Sequence, residues 1–143
     1  MITELFISDV SSIVGLQMNS GFTDGWNTSM LESAFDSGNY KCYGIKNAEK
    51  LVAFIGITLS VDTADIEDVL VDVEYRNKGL GRKLLEFAFE KIKQFGKTKV
   101  FLEVRESNIP AKSLYQKCGF NKISVRKNYY NGTENAVVFL KEI

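Results

Sequence analysis

Two stretches of the sequence hold side chains whose types and spacing suit chemistry. The first is Val69-Leu70-Val71-Asp72-Val73-Glu74-Tyr75-Arg76-Asn77-Lys78-Gly79-Leu80-Gly81-Arg82. It reads as a strand, a short basic loop with glycines, and the start of a helix. A helix start offers N–H groups without intrahelical partners and the positive end of the helix dipole. Glycines let the backbone approach an anion closely, and Arg76, Lys78 and Arg82 add charge. The pattern suits a phosphate-bearing ligand. It is not a Walker loop, because GxxxxGK[ST] is missing, and only Gly-x-Gly of the dinucleotide fingerprint is present. Taken alone, the loop also fits a glycine-softened turn with ordinary surface charge.

The second stretch is Leu102-Glu103-Val104-Arg105-Glu106-Ser107-Asn108, then Ala111-Lys112-Ser113-Leu114-Tyr115-Gln116-Lys117-Cys118-Gly119-Phe120. There is no histidine anywhere. That excludes Ser-His and Cys-His nucleophiles and zinc sites that need imidazole. A general base must be a carboxylate, a lysine, a tyrosine or water. Cys42 and Cys118 lack CxxC spacing and read as reduced, buried thiols.

The loop Arg76-Asn77-Lys78-Gly79-Leu80-Gly81 resembles the (Q/R)-x-x-G-x-(G/A) acyl-CoA motif of the GNAT N-acetyltransferases. The second stretch, with Arg126-Lys127-Asn128-Tyr129-Tyr130, is similar to the RimI-type branch of that family. The match covers about residues 66–130. The resemblance implies a fold, a co-substrate and roles. Arg76, Asn77, Lys78, Gly79, Leu80, Gly81 and Arg82 would hold the pyrophosphate of acetyl-CoA. The backbone of Val69, Leu70 and Val71 would pair with its pantetheine arm, as an added strand pairs with a sheet edge. Glu103 matches the family's proton acceptor, Tyr115 its proton donor, and Asn108 a CoA contact. No metal is implied. One departure is Val73, where many relatives carry proline. Another is Gly25-Trp26-Asn27, where relatives tend to have Pro-Trp-Ser/Thr.

These roles make chemical sense. An amine attacks a thioester only when neutral, so a base must take its proton. The departing thiolate gains from a nearby donor, and a tyrosine stays protonated at neutral pH. With no histidine to activate Cys118, direct transfer without an acyl-enzyme is expected. The implied acceptor is the N-terminal amine of a small-subunit ribosomal protein, at an alanine. The alternatives are a small amine, a lysine side chain, or a module that binds acyl-CoA without turnover. Trp26, Arg126, Tyr129 and Tyr130 are candidate walls for a peptide N-terminus, and equally candidates for plain packing. Glu103 could be a surface ion-pair member, Tyr115 a core aromatic beside Phe120, and Asn108 a helix cap.

Positioning these groups requires an alternation of strands and helices. Residues 3–8 read as a strand, 9–19 and 27–36 as helices, and 40–46 and 51–60 as a strand pair. Residues 64–73 read as a strand. From Gly79 to Phe95 the period turns helical, with Leu80, Leu84, Leu85, Ala88, Ile92 and Phe95 as one stripe. Residues 98–105 read as a strand, and Asn108 with Pro110 opens a short helix. Strands at 120–128 and 135–141 flank an Asn131-Gly132 turn. The expectation is one α/β domain over 1–143, of mixed α+β character and GNAT-like. Its sheet should be mostly antiparallel, with one parallel β-α-β crossover and helices on both faces.

The composition fits. The chain has 143 residues, 45% of them apolar, a size and balance suited to one core. Eighteen basic and eighteen acidic residues give zero net charge, so neither nucleic acid nor membrane is the expected partner. The opening residues lack a basic segment running into an apolar one, so no signal peptide is expected and the cytoplasm is the default.

Overall fold

A computed structural model describes all residues 1–143. The apolar run Leu51–Ile57 forms the middle of a strand that is buried on both faces. That strand sits third in a seven-stranded sheet of order β1-β2-β3-β4-β5-β7-β6. The strands are β1 (Ile2–Leu5), β2 (Tyr40–Asn47), β3 (Lys50–Leu59), β4 (Thr63–Val71), β5 (Lys99–Arg105), β6 (Asn121–Tyr130) and β7 (Glu134–Glu142). The helices are α1 (Val10–Asn19), α2 (Thr28–Ser37), α3 (Leu80–Gln94) and α4 (Ile109–Lys117). Neighbouring strands are antiparallel except β4 and β5, the expected parallel pair.

Alternate residues of β2 and β3 feed two cores, as the period of a strand requires. Tyr43 and Ile55 join Leu84, Leu85, Ala88 and Ile92 beneath α3. Cys42 and Phe54 join Ile13, Leu16 and Leu31 beneath α1 and α2. Helices therefore cover both faces. No helix is long and apolar enough to cross a membrane. Cys42 and Cys118 are free and buried.

The elements match the sequence reading closely, and the departures have local causes. The first strand stops at Leu5 because the Asp9 carboxylate accepts the Phe6 N–H at 2.8 Å and tightens a 3-10 turn. β4 stops at Val71 because Asp72 accepts the Glu74 N–H at 2.9 Å and turns the chain. That side chain sets the turn at the position where Val73 departs from proline. On α3 the buried aromatic is Phe89, whereas Phe95 is 39% exposed beside Lys41. Phe95 caps the helix end, beyond the last turn facing the sheet.

Two irregularities in β4 shape the middle of the sheet. Gly56 pairs with Asp68 and Ile57 with Ile66, so Glu67 is the extra residue of a β-bulge. The bulge switches faces. Ile66 lies in the α3 core, while Leu70 lies in the α1–α2 core. In addition, β4 and β5 pair only from Thr63–Lys99 to Ile66–Leu102. Beyond that point β4 stays with β3, and β5 stays with β7. The sheet divides at Glu67 and Glu103, leaving one edge of β4 open.

Candidate active site

The division of the sheet opens a cleft of about 460 Å³. Glu103 stands on the β5 wall, next to the last residue that pairs with β4. Its side chain is 26% exposed, and its Oε1 lies 3.2 Å from Arg126 Nε. Arg126 in turn lies over the Tyr129 ring at 5.4 Å. Tyr115 comes from α4 and is 8% exposed. Its ring meets Phe120 and Phe139 edge-on at 6.0 and 6.2 Å, so it is a core aromatic that also lines the cleft. Burial, then the charge of Asp68, pushes its phenol well above the usual range, so it keeps its proton at neutral pH.

Asn108 also serves two ends. Its Oδ1 accepts the Ala111 N–H at 3.2 Å, capping α4, and the residue lines the cleft. Trp26, Arg126, Tyr129 and Tyr130 all line the same space. Trp26 is held by the Tyr40 ring at 5.5 Å and by Gln17, which donates to the Trp26 carbonyl at 2.9 Å. A Cβ at Gly25 would run into the Gln17 amide, so a side chain there would have to displace Gln17 from the Trp26 carbonyl.

The basic loop lies along the open edge of β4 and outside the cleft. Arg76 Nε donates to the Val71 carbonyl at 3.1 Å, folding the loop back on the strand end. Asn77 and Gly79 adopt positive φ, at 61° and 79°. The first α3 bond runs from Lys83 N–H to Gly79 O at 3.1 Å. No backbone N–H from Arg76 through Arg82 has a backbone acceptor. That is a row of donors at a helix N-terminus, which suits a pyrophosphate. A Cβ at Gly81 would sit 3.2 Å from Leu114 Cδ2 and 3.9 Å from Val71 Cγ2, so α3 approaches both β4 and α4 closely there. Val69 and Val71 pack against the α3 core, and Leu70 enters the opposite one. Their backbone is what faces the gap.

The structure also brings in residues that spacing did not single out. Arg105 is clamped by Asp24 through two contacts of 2.7 and 2.8 Å and by Glu134 at 2.8 Å. Its guanidinium lies 4.5 Å above the Tyr130 ring. This clamp ties the loop before α2 to β5 and β7. Asp65, Glu67 and Asp68 line the cleft from β4. Burial raises the carboxyls of Asp65 and Glu67, and pushes Asp68 up to about 8. Reading residues 64–73 as a strand did not single these groups out, because the bulge that turns them is not visible in the sequence.

Comparison with known proteins agrees with this geometry. The model of the acetyltransferase (GNAT) family matches residues 12–120. The chain belongs to the GNAT family. Among relatives, the Escherichia coli (strain K12) ribosomal protein bS18-alanine N-acetyltransferase is 38% identical over 92 residues. The match covers 62% of each chain, so it spans just under two thirds of that GNAT relative's length. A Bacillus subtilis (strain 168) protein, given the same name provisionally, is 31% identical over 137 residues, 94% of this chain and 90% of that one. The crystal structure of the ribosomal-protein-S18-alanine N-acetyltransferase from Escherichia coli has a TM-score of 0.91 at 29% identity, covering 100% of this chain and 93% of that one.

Proposed function

We propose that the protein is an acetyl-CoA-dependent N-acetyltransferase that moves acetyl directly to the N-terminal amine of a protein, in first place an alanine at the start of a small-subunit ribosomal protein. One observation carries the reading. The divided sheet joins a row of loop N–H groups, an open strand edge and a cleft holding Glu103, Asn108 and Tyr115. The names of the relatives supply the acceptor.

In this reading the N–H groups from Arg76 to Arg82 hold the pyrophosphate, with Arg76, Lys78 and Arg82 adding charge. The backbone of Val69, Leu70 and Val71 pairs with the pantetheine amides. Acetyl-CoA supplies the activated acyl group. Glu103 takes a proton from the attacking nitrogen, directly or through water, and Tyr115 gives one to the departing sulfur. Cys118 takes no part: its thiol is raised by burial and has no activating base. A cytoplasmic setting goes with this reading.

The cleft's carboxylates also suit a small polyamine, which is the second reading. Turnover of acetyl-CoA with an N-terminal peptide of that ribosomal protein, run beside a panel of small amines and a lysine peptide, separates the two. Binding of acetyl-CoA with no acetylation of any amine would overturn both.

A further inference from the structure

Five carboxylates line the cleft, those of Asp24, Asp65, Glu67, Asp68 and Glu103, against the guanidiniums of Arg105 and Arg126. Two of these are accounted for within the protein. Asp24 is paired with Arg105, and Glu103 with Arg126. Asp68 differs. It is 8% exposed, it lines the cleft, and it makes neither a hydrogen bond nor an ion pair. The groups that face it do not compensate it. Glu67 and Asp24 are acidic, and Tyr40 and Cys42 from β2 and Tyr115 from α4 are neutral. Opposite it on β3 stands Gly56, and the Tyr40 hydroxyl fills the space a Gly56 side chain would take. That hydroxyl is buried, with the Cys42 thiol of β2 beside it and no oxygen or nitrogen partner. The Tyr40 hydroxyl is therefore buried and unsatisfied, and the Asp68 carboxyl that lines the cleft beside it has no partner within the protein, an arrangement that folded proteins avoid unless something else fills it.

The reaction itself calls for a further group here. An acceptor that arrives as an ammonium must shed two protons from nitrogen before the amide is complete. Glu103 accounts for one of them.

We infer that Asp68 receives the acceptor's ammonium at the cleft floor and takes its first proton. This rests on the acetyltransferase reading and names the group that holds the acceptor's charged end. The ammonium passes a proton to the Asp68 carboxylate and becomes a free amine. Its lone pair attacks the thioester carbonyl, a C–N bond forms, and the C–S bond breaks. The second nitrogen proton goes to Glu103, and the departing thiolate gains a proton from Tyr115. The Tyr40 hydroxyl donates to the Asp68 carboxylate once it is charged.

The test is a comparison of wild type with Asp68→Asn across pH, reading kcat/KM for the peptide acceptor. Burial holds the Asp68 carboxyl up at about 8. Wild type reacts through ionised Asp68 and the ammonium, whereas the variant must wait for the free amine. The ratio of wild type to variant should therefore be about 10²-fold below the acceptor's own titration and fall toward one above it, where the amine arrives already free. The heat of acetyl-CoA binding should be the same in both proteins, which shows that the variant is folded. A ratio that stays within twofold, or does not change with pH, would overturn the assignment. A second measurement needs no variant. With CoA bound at neutral pH, the amine peptide should release about one proton on binding, read by calorimetry in buffers of different ionisation heat, and its desamino analogue none. Equal proton release for the two peptides would also overturn it. If wild type acetylates no amine at all, it is the acetyltransferase reading that fails.

Discussion

Glu103 and Tyr115 carry the weight of the account at the residue scale. Glu103→Gln keeps the shape of the cleft and removes the proposed proton acceptor. Its kcat should fall by about 10²-fold or more while the KM for acetyl-CoA stays close to wild type, as steady-state kinetics will show. Tyr115→Phe keeps the packing against Phe120 and Phe139 and loses the proposed donor. It should bind acetyl-CoA normally by calorimetry and turn over more slowly. Glu134 has a separate, structural part. Hydrogen bonds from Ser107 and then the Arg105 guanidinium lower its carboxyl to about 2 from an ordinary value of 4.5. A depressed carboxyl contributes stability that is complete above the unfolded value and is lost as pH falls toward the folded one. The wild-type thermal midpoint should therefore drop through that acid window, and Glu134→Gln should lack this part of the drop. Glu103, Asn108 and Tyr115, which line one cleft, could be proposed from the sequence because each sits in a continuous motif. Arg105 and Asp24 were not legible as a pair, because 81 residues separate them and only the folded loop joins them. Asp68 was hidden for another reason: strict alternation along β4 is broken by the bulge at Glu67.

Among the elements, α3 joins stability to binding. Its buried face, Leu84, Leu85, Ala88, Phe89 and Ile92, anchors the helix on the sheet. Ile92 is fully buried, so Ile92→Ala should cost about 2–5 kcal/mol in denaturant unfolding. At the other end, Gly79 caps the helix at φ 79°, in the left-handed region. Gly79→Ala has space for its Cβ but must hold that backbone conformation, which costs about 1–2 kcal/mol. Its effect should be larger on acetyl-CoA affinity than on the fold, since the same residue aims the loop N–H groups. Calorimetric titration beside thermal unfolding reads both. The helix was legible from its 3.6-residue period. The exchange of Phe95 for Phe89 was not, because both fall near the same stripe and only the point where the helix leaves the sheet decides between them.

At the scale of the molecule, function follows from one topological fact. Strands β4 and β5 are parallel neighbours that share only the register from Thr63–Lys99 to Ile66–Leu102. Each then follows its other partner. The gap leaves backbone free along β4, places a helix N-terminus at one end, and opens the cleft at the other. The parallel crossover could be expected from the strand–helix–strand order. The depth of the split could not, because it depends on how far each strand holds its antiparallel neighbour. The most direct measurement is mass spectrometry of an alanine-initiated ribosomal-protein peptide that also contains lysine, after incubation with the protein and acetyl-CoA. The account predicts a single acetyl group on the α-nitrogen, absent when Glu103→Gln replaces the wild type. Acetyl on the lysine side chain, or an unmodified peptide in the presence of bound acetyl-CoA, would contradict it.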